Sequence, residues 1–102
     1  MIILYEGEKR DVVVSVTRMR GSGFWSLTSP QYRIVTAERA LVTGFNWATA
    51  SWDATSGELS ALFDSTAAGL TAPGTYYMQL RCTIGAELYE AEVRVDVSEW
   101  GP

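Results

Sequence analysis

Thr75-Tyr76-Tyr77-Met78-Gln79-Leu80-Arg81-Cys82-Thr83-Ile84-Gly85-Ala86-Glu87-Leu88-Tyr89-Glu90-Ala91-Glu92-Val93-Arg94-Val95-Asp96-Val97 decides the fold class. Its first part alternates with period two. Tyr76, Met78, Leu80, Cys82 and Ile84 form an apolar series, and Thr75, Tyr77, Gln79, Arg81 and Thr83 form the polar one. The second part alternates in the same way, with Tyr89, Ala91, Val93, Val95 and Val97 on the apolar side. Such alternation marks antiparallel strands with one face in a core and the other in water. Gly85-Ala86 lies between them, and Gly at the first central position suits a type II′ turn. A two-residue turn there sets the register. Cys82 falls opposite Tyr89, Leu80 opposite Ala91, Met78 opposite Val93 and Tyr76 opposite Val95, all facing inward. On the outer face Arg81 meets Glu90 and Tyr77 meets Arg94, as opposite charge and cation–π attraction favour. A slip of one residue would put core side chains against solvated ones.

Outward from this hairpin, every further element also has period two. Ile2 to Glu6 reads as a short strand ended by the charged turn Gly7-Glu8-Lys9-Arg10. Asp11 to Arg18 carries Val12, Val14 and Val16 on one face. Tyr32 to Thr36 and Leu41 to Thr43 are shorter strands, joined by a turn through Thr36-Ala37-Glu38-Arg39. Trp47 to Asp53 alternates, Thr55-Ser56-Gly57 turns, and Leu59 to Phe63 follows. Ser65-Thr66-Ala67-Ala68-Gly69 is expected to form one helical turn, with Ser65 as cap and Gly69 as stop. Gly21-Ser22-Gly23 opens a loop that Pro30 closes. Short strands at this spacing predict an all-β chain, an antiparallel β-sandwich of about seven strands in one domain over residues 1–102. Tyr76, following Pro73-Gly74-Thr75, sits where immunoglobulin-like sandwiches place a Tyr whose hydroxyl bonds back to the preceding corner.

The composition narrows the chemistry. The chain has 102 residues, no His, one Cys, 47% hydrophobic residues and a net charge of −4. That rules out a Ser-His-Asp triad, a His-ligated metal and an internal disulfide. An acidic chain is a poor general ligand for nucleic acid. Cys82 has no His to activate it and reads as a small apolar core residue. Asp53 to Glu58, with Asp64 nearby, lacks the ligand alternation of a calcium loop and reads as a polar turn. Gly21-Ser22-Gly23 precedes Phe24-Trp25 and matches no nucleotide motif. No cofactor, metal or catalytic residue is therefore expected. The N-terminus has no basic segment ahead of its short apolar run, and no stretch approaches the roughly 20 residues of a membrane span. These features predict a chain made in the cytoplasm and associated with no membrane.

Residues 1–51 carry +2 and residues 52–102 carry −6. The asymmetry suits head-to-tail docking between copies, unless the two sets intermix on the folded surface. Arg18, Arg20, Arg33 and Arg39 supply most of the positive set. Phe24 and Trp25 in the Gly/Ser loop, and Trp100 in the tail, are candidate partner-binding anchors. The competing reading has them folding back to plug the end of the sandwich.

The run Ala67-Ala68-Gly69-Leu70-Thr71-Ala72-Pro73-Gly74-Thr75-Tyr76-Tyr77-Met78-Gln79-Leu80, then Thr83-Ile84-Gly85, then Tyr89 through Val97, resembles small immunoglobulin-like proteins encoded by phages and prophages. It covers about residues 67–97, and its Pro-Gly-Thr-Tyr core also suits fibronectin-type modules. The resemblance implies a virion component made in a bacterial cytoplasm. It implies a structural or assembly role in a tail, neck or baseplate, with partners that are copies of itself or other phage proteins. The alternative is a carbohydrate-binding or adhesion module that stacks exposed aromatics on sugars.

Overall fold

The computed structural model describes residues 2–16, 27–53, 56–84 and 87–99, Glu87 by its backbone. Among them are eight strands: β1 (Ile2–Tyr5), β2 (Lys9–Ser15), β3 (Leu27–Thr36), β4 (Ala48–Thr49), β5 (Ser51–Asp53), β6 (Glu58–Asp64), β7 (Gly74–Ile84) and β8 (Glu87–Ser98). They form a five-stranded sheet in the order β1-β8-β7-β3-β4 and a three-stranded sheet in the order β2-β6-β5. The architecture is an all-β sandwich. Leu4, Val12, Ile34, Leu59, Phe63, Tyr76, Met78, Leu80, Val95 and Val97 meet between the sheets. Phe63 and Tyr76 pack at its centre as a tilted ring pair, 5.7 Å between centroids.

The β7–β8 hairpin has the register that its alternation predicts, from Gly74 opposite Val97 to Ile84 opposite Glu87. Its turn, Gly85-Ala86, lies outside the described residues. The Tyr76 hydroxyl donates to the Ala72 carbonyl at 2.8 Å, closing the corner ahead of β7.

Four expectations need correction. Tyr89 is on the inward series but is 46% exposed. β7 has 11 residues and β6 seven, so β7 is about 13 Å longer than the strand facing it. Trp47 to Asp53 is not one strand. Ala48–Thr49 pairs with β3, whereas Ser51–Asp53 pairs with β6 in the other sheet. Ala50, buried at the crossing, donates its N–H to the Pro30 carbonyl. Pro30 closes no loop but lies within β3. Pairing of β3 with β7 shifts between Thr28 and Gln31, and Ser29 there has a φ of 53°, a bulge that accommodates the missing proline N–H.

The fourth concerns Ser65 to Gly69, which form successive turns and no helix. Asp64 accepts from the Thr66 N–H, while the buried Ser65 hydroxyl donates to the Glu8 carbonyl at 2.6 Å. Ser65 thus ties this corner to the β1–β2 turn, leaving no cap for a helix.

Candidate functional site

Phe24, Trp25 and Trp100 lie outside the described residues. The other sequence candidates resolve into local structure. Cys82 is buried, and burial pushes its thiol up, away from the thiolate that a nucleophile needs. Asp53 accepts from the Ser56 N–H, and Glu58 accepts from the Ser56 hydroxyl, so both serve the turn between β5 and β6. Asp64 is held below the usual carboxylate range, chiefly by hydrogen bonds from Thr66, with Lys9 at 3.7 Å. No group of three or more His, Cys, Asp or Glu among the described residues converges as a metal site. Of the tryptophans described, Trp52 packs against the core and Trp47 lies half-buried under two guanidiniums.

What the fold does assemble is an open side. β2 and β6 pair so that Val16 donates to Gly57 and Ser65 donates to Glu8. Both pairs lie in the same register as Val12 with Ala61. In an antiparallel ladder alternate residues bond to the neighbour, so Arg10, Val12 and Val14 face β6. Lys9, Asp11, Val13 and Ser15 therefore turn their N–H and C=O groups outward. No strand lies on that side of β2 among the described residues.

β8 presents a similar edge. Only its last residues, Val95 to Ser98, are covered by β1. Glu6 donates to the Ser98 carbonyl, which fixes the even-numbered residues of β8 as those facing away from β7. Leu88, Glu90 and Glu92 thus direct backbone groups outward beyond the end of β1. Between the β2 and β8 edges lies a cleft of about 200 Å³, lined by Val14, Val16, Leu59, Leu80, Cys82 and Tyr89 among others.

β1, an edge strand of the five-stranded sheet, offers less. By the same alternation only Ile3 and Tyr5 face outward, and the Tyr5 N–H is taken by the Glu8 carboxylate at 2.7 Å. Short strands and charges are common ways to blunt a sheet edge. β2 is guarded at its start by Lys9, Arg10 and Asp11, but from Val12 to Ser15 it carries no charge and no proline. No signal in the composition points to this side. The apolar alternation of β2 and β8 identifies a core face, not which strand lacks a neighbour.

The outer face of the five-stranded sheet is polar and ordered. Arg39 meets Glu92 at 2.6 Å and lies 3.9 Å from the Tyr77 ring centroid. Arg94 bonds to Asp96 at 3.0 Å, and Thr75 donates to the same carboxylate. The expected outer pairs are thus correct in register, though Arg81 and Tyr77 take closer partners. Arg81 turns from Glu90 toward Gln31 and Trp47, and Arg39 takes the Tyr77 ring.

No protein family, curated protein or solved structure matches the chain.

Proposed function

We propose that this chain is a non-enzymatic structural or assembly protein of a phage or prophage particle, in its tail, neck or baseplate region. It acts through protein–protein contacts, by taking an extended strand from another particle chain onto its open side. The observation that carries this reading is the pair of backbone edges on β2 and β8 that no described strand covers, with an apolar cleft between them. Main-chain groups on both rims supply affinity for a strand, and the cleft takes its alternate side chains. The strand order adds support. β2-β6-β5 against β8-β7-β3-β4 follows the B-E-D and G-F-C-C′ order of immunoglobulin-type sandwiches, as the resemblance over residues 67–97 implies.

Mass spectrometry of particles purified from the encoding strain tests the virion role. The chain is expected at a fixed ratio to the other structural proteins, and its absence from particles and assembly intermediates overturns that role. Val13→Pro tests the edge. The Val13 side chain is 46% exposed and its N–H bonds nothing in β6, so proline there removes an outward donor and no ladder bond. The variant is expected to fold with the wild-type circular dichroism spectrum and to fail to enter particles.

A further inference from the structure

Four side chains on the outer face of the five-stranded sheet form two reciprocal pairs. Arg33 stands opposite Gln79, and Gln31 opposite Arg81. Each arginine Nε donates to the glutamine Oε1 across from it, at 2.6 Å for Arg33 and 2.9 Å for Arg81. Both guanidiniums also lie against Trp47, 4.6 and 3.7 Å from its ring. The Nε bond and the ring contact together fix the guanidinium orientation, and the Nη atoms remain for a partner.

The two differ from the other cations beside them. On the same sheet, Arg39 and Arg94 each meet a carboxylate, whereas Arg33 and Arg81 are in no ion pair among the described residues. The nearby acids do not change this. Glu92 is engaged by Gln79 and Arg39, and Arg81 turns away from Glu90, its register partner. In a chain of net charge −4, two oriented and half-buried guanidiniums thus remain without a counter-charge among the described residues.

We infer that Arg33 and Arg81, seated on Trp47, form a preorganised clamp for an acidic, extended segment of a partner protein. A guanidinium takes a carboxylate through two parallel N–H bonds, and a fixed plane reduces the entropy lost on binding. Because both lie against one indole, their centres are within about 10 Å of each other. Alternate residues of an extended strand place carboxylates about 7 Å apart on one face, which two such forks can meet together. This surface is on the opposite sheet from the β2 edge, so the two contacts are separable.

The test is a titration of the full chain with acetyl-Thr-Glu-Thr-Glu-Thr-amide, followed by NMR at the arginine Nε–Hε and tryptophan indole resonances. Saturable shifts are expected at Arg33, Arg81 and Trp47, weakening as salt is added. The peptide with Gln in place of Glu should bind at least about tenfold more weakly. Arg33→Gln with Arg81→Gln should abolish the shifts, and Arg81→Lys, which keeps charge but loses the fork, should weaken binding and leave the fold intact. Val13→Pro should bind the peptide as wild type does, whatever becomes of strand addition. Equal binding of the Gln peptide, equal binding of inorganic phosphate, or undiminished binding in the double variant would overturn the clamp.

Discussion

Gly69 shows what a single backbone angle costs to change. Its φ is +89°, and a Cβ there would stand 2.8 Å from Val42 Cγ1. Both the left-handed angle and the contact oppose any side chain, so Gly69→Ala is expected to destabilise the fold by about 1–3 kcal/mol in urea unfolding. Tyr76 is the opposite case, a side chain whose polar tip is its contribution. Tyr76→Phe keeps the ring packed on Phe63 and removes the bond to Ala72, at a cost of about 1 kcal/mol. The melting temperature should fall by about 4–8 °C. A smaller loss in either variant would mean that the corner yields more readily than its geometry indicates. Tyr76 was legible in the sequence because a Gly-Thr-Tyr entry to a long strand has one economical use for its hydroxyl. Tyr89 was not, because alternation reports which face a residue takes and not whether the opposing sheet reaches it.

The elements divide in the same way. The β7–β8 register follows from two residues of turn and matched apolar faces, both local, and the structure reproduces it throughout. The division of residues 47–53 between sheets is decided at Ala50 by contact with Pro30, which is 20 positions away in the chain. No local pattern carries that information. The Ser65 hydroxyl was likewise claimed by Glu8, 57 residues distant, so its capping propensity was overridden. On β8, Asp96 is held below the usual carboxylate range, first by Arg94 and also by Thr75. Glu92 is held below it first by Gln79 and then by Arg39. A carboxyl with a lowered folded pKa binds fewer protons in the folded state than in the unfolded one. Its stabilisation is present above the ordinary carboxylate pKa of about 4 and is lost as pH falls through the folded value. The urea midpoint should therefore drop between about pH 5 and pH 3, and Asp96→Asn should flatten that drop. An unchanged slope in the variant would remove Asp96 from the acid response.

At the scale of the molecule, the sandwich is unequal. Among the described residues five strands face three, and a cleft lined by Leu80 and Ala91 on one side and Val14 and Leu59 on the other opens where no described strand flanks β2. The fold class was legible because all-β chains announce themselves by period and spacing. The candidate surfaces were not, since an open edge and an unpaired guanidinium are properties of what is missing beside them. The partner-binding residues read from sequence, Phe24, Trp25 and Trp100, all fall outside the described residues, and Arg33 of the proposed clamp was read there only as one of the basic residues.

β1 runs parallel to β8 and begins opposite Val95. A strand laid along the exposed part of β8 from Glu87 therefore meets the start of β1 after about six to eight residues and goes no further. Unanchored strand pairing tends to slip in steps along the edge. Here the edge has a floor, and an incoming chain that reaches it is stopped at one depth.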